Sequence, residues 1–441
     1  MQKIFLILLF PFLMFAQSFM ISNIPLPRTY IQNLDPYECD DDCLRDYLKK
    51  DMIFSFLAHA DRKLNDRELD EARIMNISIL NMGTITSSTK LNIALLLPSK
   101  KIGKYAATTT NAAFAYLMSK SNSFTLKSYS IASEDIAQIS LALDKIKADG
   151  FSYIIAPMTK KGVENVISLD PDLNVYFPTV NKKDVNSSSA YLTFGGIDYE
   201  AQSDLLLKEA VSPLIIFSDK SSIGKKLAYY QENQFLHPKT EAEEPSAFED
   251  ANMSVNLDES LYAQGEIDDE NLTEKKVIKY FISRRTTNLE NYLKENEDII
   301  HGSFFINTPI IKSGMIMSQL TLYDTNATNI LSTQINYDPL LLSMTQYVDR
   351  KNMIVANSIT KNNNVLVNTN SLLDNDIVYD WINYTTTVGI DYFYSLITAQ
   401  EREYDIELED NQMIYDIKLL KPSLSRFIPY VRPVILEQGE E

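Results

Sequence analysis

The chain has 441 residues, of which 45% are hydrophobic and 23% charged, and its formal net charge is −18. This length and apolar content allow more than one buried core, so about two or three domains are expected. The strong negative charge argues against nucleic acid and anionic membrane surfaces as partners, because both repel an acidic protein.

Residues 1–18 have the pattern of a cleaved signal peptide. Lys3 precedes an apolar run from Ile4 to Phe15, and Ala16-Gln17-Ser18 has the small residues of a cleavage site. The alternative is a transmembrane anchor, but this run is shorter than the roughly 20 apolar residues that span a bilayer. We therefore expect export to the periplasm, with no membrane-spanning segment after cleavage.

Residues 19–88 are predicted to form a helical extension ahead of the main fold. Apolar residues recur at helical spacing from Leu44 to Leu57 and again from Leu64 to Leu80, which predicts a helical hairpin with its turn near Asp61 to Asn65. Two interpretations remain open: a docking element for another envelope protein, or a cap packed on the adjoining domain.

The two cysteines, Cys39 and Cys43, fit export to an oxidising compartment, where we expect them to pair. On a regular helix, residues four apart hold their Cβ atoms about 5–6 Å apart, whereas a disulfide needs roughly 3.5–4.5 Å. Pairing therefore predicts a turn across Tyr37 to Cys43, with a helix that begins near Asp42 or Cys43. A metal site is disfavoured because no histidine lies nearby in the sequence.

From Leu91 onward, buried strands alternate with helices. Leu91 to Leu97 is an apolar run ended by Pro98, which is typical of a parallel strand buried on both faces. The elements predicted next are a helix from Tyr105 to Met118, a strand from Phe124 to Ile131, a helix from Glu134 to Ala148 and a strand from Tyr153 to Pro157. This alternation predicts a parallel sheet flanked by helices.

The later chain repeats the alternation and predicts a second parallel sheet. Its predicted elements are a strand from Leu214 to Asp219, a helix that begins at Gly224, a strand from Ser303 to Pro309, a helix from Gly314 to Leu322, a strand from Asn329 to Thr333, a late helix from Asp380 to Phe393 and a strand from Met413 to Leu419.

Residues 232–274 differ from their surroundings, because they contain thirteen Asp or Glu residues and a single Lys. Such a composition predicts a flexible acidic insertion. It is interpreted as a solvated loop, as a loop that binds the basic surface of a partner, or as a weak binder of divalent cations.

Four motifs occur in a recognisable order: Leu97-Pro98-Ser99, Tyr105-Ala106-Ala107, Ile155-Ala156-Pro157-Met158-Thr159 and Val175-Tyr176-Phe177-Pro178-Thr179. In this order they resemble the type I periplasmic-binding-protein superfamily. Its members include branched-chain amino acid binding proteins and the lipoprotein activators of penicillin-binding proteins. The resemblance implies an α/β fold of two lobes, each a parallel sheet flanked by helices, joined by crossing hinge strands.

The resemblance covers roughly residues 91–430 and implies a division of the chain. Residues 89–197 would form the first part of lobe 1 and residues 198–335 would form lobe 2, including the acidic insertion. Residues 336–404 would return to lobe 1, and residues 405–441 would form the C-terminal strands and tail.

The resemblance also implies a ligand site at the carboxyl ends of the strands. Thr159 and Thr179 match positions that bind the carboxylate and amine of an amino acid in relatives. The full set of candidate ligand-binding residues is Ser99, Thr159, Lys160, Thr179, Asp219 and Ser222. The match is incomplete, because Ile223 stands before Gly224 where amino-acid-binding relatives usually place a clamping tyrosine.

Enzyme chemistry is not indicated. The three histidines, His59, His237 and His301, have no metal-ligand spacing, and no nucleophile or phosphate-binding motif occurs. We therefore expect no catalytic residues, no metal and no cofactor.

Two functions remain open. The first is a non-catalytic periplasmic protein that acts through protein contacts in the cell envelope, similar to the activators of peptidoglycan synthases. The second is the solute-binding protein of an ABC transporter for a small polar ligand such as an amino acid or peptide. The helical extension, the acidic insertion and the altered ligand site favour the first function.

Overall fold

The computed structural model describes residue 31 and residues 39–60, 64–79, 90–238, 275–360 and 362–432. The predicted signal peptide and residues 239–274 of the acidic insertion lie outside these ranges. The chain divides into a smaller unit that holds the N-terminal helices and a larger unit that holds two sheets. Across the described ranges, no helix combines the length and the apolar character needed to cross a bilayer.

The smaller unit contains three described helices, where the sequence predicted a hairpin of two. They are α1 (Asp41–Lys49), α2 (Ile53–His59) and α3 (Arg67–Ile79). The first predicted helix is divided because Asp51 adopts a positive φ of 54°, which a right-handed helix does not accommodate. The three helices share a core made of Leu44, Phe56, Leu57, Ala60, Leu69 and Ile77.

A disulfide joins Cys39 to Cys43, with their Cα atoms 5.4 Å apart. Cys39 lies ahead of α1 and Cys43 lies in its first turn, so the pair spans the start of the helix and not a regular helical turn. The side chain of Asp40 caps α1 by accepting a hydrogen bond from the Cys43 amide at 2.9 Å. The helix therefore begins one residue earlier than the predicted start at Asp42.

The larger unit contains fourteen strands and twelve α-helices in the described ranges. The strands are β1 (Leu91–Leu97), β2 (Phe124–Ser130), β3 (Tyr153–Ile155), β4 (Asn174–Phe177), β5 (Leu192–Phe194), β6 (Leu214–Asp219), β7 (Val277–Ile282), β8 (Ser303–Asn307), β9 (Asn329–Ser332), β10 (Met353–Asn357), β11 (Glu407–Glu409), β12 (Gln412–Ile414), β13 (Lys418–Pro422) and β14 (Phe427–Pro429). The helices are α4 (Ser99–Ile102), α5 (Tyr105–Met118), α6 (Ile136–Ala148), α7 (Lys160–Leu169), α8 (Tyr199–Leu207), α9 (Ser222–Leu236), α10 (Glu290–Leu293), α11 (Ile310–Leu322), α12 (Pro339–Met344), α13 (Tyr347–Arg350), α14 (Asn364–Leu372) and α15 (Trp381–Thr398).

The first sheet has seven strands in the order β11-β12-β5-β4-β3-β1-β2 and forms the centre of lobe 1. Strands β1, β3, β4 and β5 pair in parallel, and β12 adds to β5 in the same direction. Six of the seven β1 residues are buried, as the apolar run predicted for a strand covered on both faces. Helices α5, α14 and α15 pack together on this lobe.

The second sheet has the order β14-β13-β10-β9-β8-β6-β7 and forms the centre of lobe 2. Five of its strands run parallel to one another: β7, β6, β8, β9 and β10. Strand β13 pairs antiparallel with β10, and β14 pairs antiparallel with β13. Two of these strands, β7 and β10, were not predicted. Because β10 pairs with β9 and β13, the predicted return to lobe 1 at residue 336 is wrong for this strand.

The acidic insertion also begins later than predicted. Residues 232–236 complete helix α9, and the Glu232 carboxylate forms an ion pair with Lys279 on β7. The helix therefore continues past the predicted start of the insertion.

The chain crosses between the two sheets three times, at residues 195–198, 358–360 and 415–417. The last crossing divides the predicted strand from Met413 to Leu419 into β12, in the first sheet, and β13, in the second. The two-lobed α/β architecture, with parallel sheets and crossing segments, agrees with the fold that the sequence predicted.

Candidate functional site

A cavity of about 680 Å³ lies between the two lobes. We call it the interlobe cavity. Its walls come from the loops that follow β1, β3 and β4, from the first turns of α8 and α9, and from the start of α15. The carboxyl ends of parallel strands therefore face this cavity, which is where open α/β sheets usually bind ligands.

Four of the six predicted ligand-binding residues line the interlobe cavity: Thr159, Lys160, Thr179 and Ser222. The other two do not. Ser99 lies at the start of α4, where its hydroxyl is 2.7 Å from the Ser130 hydroxyl. Asp219 ends β6, and its carboxylate accepts a hydrogen bond from the Ser221 amide at 3.0 Å.

Thr159 is engaged by a carboxylate of the protein itself. Its backbone N–H donates to Oε1 of Glu134 at 2.8 Å, and its hydroxyl donates to Oε2 of the same carboxylate. Glu134 is only 6% exposed, and the side chain of Asn165 holds its backbone carbonyl at 2.6 Å. Thr159, one of the two residues that the resemblance assigned to an amino-acid ligand, is therefore bound to Glu134 at the amino end of α7.

Thr179 is satisfied in a similar way, because its hydroxyl donates to the backbone carbonyl of Met158. Lys160 lies near Glu164, with 3.8 Å between its Nζ and the nearest carboxylate oxygen, and most of its side chain is exposed. Neither threonine hydroxyl thus points a free donor at the cavity.

In lobe 2, amide side chains fill the ends of the strands. Gln231 on α9 and Asn307 at the end of β8 form two reciprocal hydrogen bonds, of 3.1 and 2.6 Å. Gln202 on α8 accepts from the backbone N–H of Gln334 at 2.9 Å and donates to the Ser358 hydroxyl at 2.7 Å. These buried amide side chains are therefore hydrogen-bonded within the protein.

Four charged residues beside the cavity form ion pairs that connect the two lobes. We call these contacts the interlobe ion pairs. Lys183 and Asp184 follow β4 in lobe 1, whereas Glu200 and Lys226 lie on α8 and α9 in lobe 2. Lys183 Nζ is 3.1 Å from Glu200, and Lys226 Nζ is 2.8 Å from the other oxygen of that carboxylate. Lys226 also pairs with Asp184.

The interlobe ion pairs shift the proton affinities of their members. Burial raises the pKa of Glu200, but hydrogen bonds from Lys226 and Lys183 outweigh it, so that the pKa is lowered overall. For Lys226, burial lowers the pKa, and hydrogen bonds to Asp184 and Glu200 reverse this and raise it. Glu200 and Lys226 are therefore both charged at neutral pH.

The rest of the cavity wall is mostly apolar and includes three aromatic rings. Trp381, the single tryptophan of the chain, lines the cavity at the start of α15 and meets the Tyr199 ring edge-on at 6.2 Å. Tyr105 contributes the third ring. The aliphatic part of the wall consists of Ile102, Met158, Val180, Ile197, Ile223, Leu227 and Ile382.

Ionisation is disfavoured around these rings. Burial, with repulsion from Asp380, raises the pKa of Tyr105. Burial also raises the pKa of Tyr199 and of Asp380, the N-cap of α15. Both tyrosine hydroxyls are therefore protonated at neutral pH and can donate hydrogen bonds.

Sequence reasoning missed several residues of this site. Glu134 is not among the predicted site residues, yet its carboxylate is the group that binds Thr159. A single acid at the start of a predicted helix is weak evidence by itself, since its partner lies on another loop. The substitution of Ile223 for the family's tyrosine was visible in the sequence and agrees with the apolar wall.

The side chains that commonly bind metal ions are scattered over the part of the chain that the structure describes. No three His, Cys, Asp or Glu side chains there are grouped to hold a metal ion. His59 stacks on Tyr47, with ring centroids 5.5 Å apart, and its Nδ1 lies 2.9 Å from the Ser55 carbonyl. His59 is thus a packed residue of the smaller unit.

No protein-family model matches the chain, and no curated protein sequence matches it. Solved structures do. An ABC transporter substrate-binding protein from Sphaerobacter thermophilus has a TM-score of 0.53 at 10% identity, over 78% of this chain and 97% of that chain. Full-length LpoA from Haemophilus influenzae has a TM-score of 0.50 at 10% identity, over 88% of this chain and 67% of that chain.

The C-domain of LpoA from Haemophilus influenzae, described as a regulator of PBP1A, has a TM-score of 0.48 at 11% identity. It covers 77% of this chain and all of that domain. At these identities the similarities concern the fold alone. The matches to the substrate-binding protein and to full-length LpoA, together with the two parallel sheets and the three crossings, show that the chain has the two-lobed fold of type I periplasmic binding proteins.

Proposed function

We propose that this protein is a non-catalytic component of the cell envelope that acts through protein contacts and does not carry free amino acids. The observation that carries the proposal is the Glu134 carboxylate bound to the N–H and hydroxyl of Thr159. An incoming amino acid would have to displace a buried carboxylate from both donors. Displacement leaves that carboxylate unsatisfied, at a penalty of about 1–3 kcal/mol or more.

Three further points support the proposal. Thr179 is bonded to a backbone carbonyl, and the strand ends of lobe 2 are filled by buried amides. The apolar run from Ile4 to Phe15 after Lys3 supports export to the periplasm. LpoA, whose C-domain is described as a regulator of PBP1A, provides an example of this fold with a protein partner.

The test is thermal unfolding of the exported chain in the presence of amino acids, small peptides and sugars. A ligand at 100 times its dissociation constant would add about 2.7 kcal/mol to the free energy of unfolding. We expect no such stabilisation from any amino acid. A clear increase in Tm with one amino acid would contradict the proposal and favour a transport protein.

The variant E134A provides a matched comparison. It removes the carboxylate and leaves the donors of Thr159 open, so that free carboxylates such as acetate or leucine are expected to stabilise it more than they stabilise the wild type. E164Q is the control, because Glu164 is an exposed carboxylate on α7, the helix that begins directly after Thr159. Equal responses of E134A and the wild type would contradict the role assigned to Glu134.

A solute-binding protein of an ABC transporter remains the second candidate. The observation that favours it is the interlobe cavity itself, whose volume of about 680 Å³ falls within the range of small-molecule sites. Under this alternative the solute would differ from the polar amino acid that the sequence suggested, because the side chains of Thr159 and Thr179 already form hydrogen bonds within the protein.

A further inference from the structure

We propose that the interlobe cavity binds a small uncharged ligand that carries an aromatic ring. The proposal rests on the proposed function in one respect, since both hold that the cavity is not built for a free amino acid. It adds the chemical class of ligand that the cavity does take. Three features of the cavity point to this class: its paired charges, its apolar and aromatic wall, and two tyrosine hydroxyls.

The charged residues of the wall are engaged or hydrated. Lys183, Asp184, Glu200 and Lys226 neutralise one another through the interlobe ion pairs. Lys101, the remaining charged residue of the wall, is exposed, and the Lys160 side chain is 60% exposed beside Glu164, so both of these charges stay in water. A charged ligand group would lose its hydration on entering the cavity without gaining a buried counter-charge, which is unfavourable.

The wall favours a ring. Trp381 and Tyr199 already form an edge-to-face pair, and Tyr105 supplies a further aromatic face. Aromatic pairs in such geometries gain about 0.5–1.5 kcal/mol beyond the burial of their area. Ile223 and Leu227 on α9 present branched apolar groups from lobe 2, so that a flat apolar ligand contacts both lobes.

Two hydroxyls provide a polar contact. In the described chain, the hydroxyls of Tyr105 and Tyr199 form no hydrogen bond, although both side chains line the cavity. Since both remain protonated, each can donate to a neutral acceptor such as an ether, carbonyl or hydroxyl oxygen. The ligand class is therefore a ring with one uncharged acceptor group.

The experiment uses the fluorescence of Trp381, which is the single tryptophan of the chain and lies in the cavity wall. The uncharged dye N-phenylnaphthylamine is titrated into the full-length protein, and energy transfer from tryptophan to the dye is followed. Phenylethanol and phenylalanine then compete for the site, because they share a ring and differ in charge. We expect saturable transfer that phenylethanol reverses and phenylalanine does not.

Two variants localise the binding. I223D places a carboxylate at the second residue of α9, where Ile223 is 49% exposed and an acidic residue suits the helix start. It should weaken dye binding about tenfold or more, because a carboxylate in an apolar wall resists desolvation. I311D is the matched control, since Ile311 is the second residue of α11, is 68% exposed and lies outside the cavity wall.

The outcomes separate the two proposals. If the dye does not bind, or binds I223D as tightly as the wild type, the inference about the ligand class is overturned and the proposed function is unaffected. If phenylalanine displaces the dye as well as phenylethanol does, the cavity accepts amino acids and the proposed function is overturned. Displacement by phenylethanol alone, with loss of binding in I223D and retention in I311D, supports both.

Discussion

At the scale of single residues, Tyr176 shows how tightly lobe 1 is packed. Its hydroxyl donates to the Thr385 carbonyl at 3.0 Å, and its ring lies between two glycines. A Cβ atom at Gly389 would lie 2.3 Å from Cε1 of this ring, and one at Gly195 would lie 1.8 Å from its hydroxyl. Both positions therefore need glycine because of the ring, without any need for unusual backbone angles.

The variant G389A should destabilise the protein by about 1–3 kcal/mol, because the added methyl group overpacks a buried ring. Helix propensity alone would make the alanine variant more stable by about 1 kcal/mol. A net loss of stability would therefore come from the overpacking. G314A is the control in helix α11, where the nearest atom to the added methyl group is the flexible end of Met344 at 2.8 Å, followed by the Thr345 methyl group at 3.3 Å. Urea unfolding measures both variants, and equal effects would contradict this account.

The residue scale is also where sequence reasoning reached its limit. The resemblance to the family implies both the strand that contains Tyr176 and the helix that contains Gly389. Their contact joins distant parts of the chain, and periodicity within a segment carries no information about it. The same holds for Thr159 and Glu134: the threonine was predicted as a site residue, but its partner could not be identified.

At the scale of elements, buried tyrosines hold the crossing segments. The Tyr415 hydroxyl, in the third crossing, donates to the Gly195 carbonyl of the first crossing at 2.8 Å. The Tyr384 hydroxyl on α15 lies 2.7 Å from the Thr360 hydroxyl in the second crossing. Tyr404 donates to Asn362, just beyond that crossing, at 2.7 Å. The phenols of Tyr415 and Tyr404 must therefore stay protonated to donate these hydrogen bonds, whereas Tyr384 also accepts from the Thr360 N–H.

Burial raises the pKa of Tyr176, Tyr384, Tyr404 and Tyr415 above the ordinary value near 10. Above about pH 10 the unfolded chain releases phenolic protons that the folded chain retains, so the free energy of unfolding falls as the pH rises. Each such tyrosine contributes a slope of up to about 1.4 kcal/mol per pH unit. Below about pH 9 these groups add no pH dependence.

Urea unfolding between about pH 8 and pH 11 tests this expectation. The variant Y404F removes one of the phenols and should reduce the slope by about 1.4 kcal/mol per pH unit. Lysines also titrate in this pH range, but their contribution to the slope is the same in both proteins and cancels when the two slopes are subtracted. Identical slopes for Y404F and the wild type would show that Tyr404 does not titrate differently on unfolding.

Strong elements were predicted well and short ones poorly. The apolar run of β1 and the strand β6 were predicted with the bounds that the structure has, because long buried runs give a clear signal. Strand β10 has five residues and lacks a flanking helix pattern that would mark a βαβ unit, so its place in lobe 2 was missed. The last crossing was missed because apolar and polar residues alternate through the crossing from β12 to β13. This alternation predicts one strand, although the chain passes from the first sheet to the second.

At the scale of the whole molecule, the interlobe ion pairs connect the lobes beside the cavity. These side chains are partly exposed, between 21% and 51%, and single pairs of this kind contribute little. Their effect is therefore expected in the separation of the lobes and less in the stability of either one. The pKa of Glu200 is lowered, so this contribution is present at neutral pH and lost as the pH falls below about 4.

The variant K226M removes two of the ion pairs and should shift the protein towards a more open arrangement. K225M is the control, because Lys225 is exposed on the same turn of α9. Small-angle X-ray scattering measures the radius of gyration of both variants and of the wild type at low and high salt. We expect K226M and high salt to increase the radius, and an unchanged radius in both would refute a role in lobe closure.

The three crossings have a consequence for how the protein is made. Neither lobe is a continuous stretch of chain, since β12 completes the first sheet beside β5 and β13 completes the second beside β10. A chain that emerges amino end first cannot finish either sheet until residues 412–422, which form β12 and β13, have left the ribosome. Until then both sheets present an unpaired edge, which invites aggregation. The nascent protein would therefore stay incomplete, and in need of protection by chaperones, until these two strands have emerged.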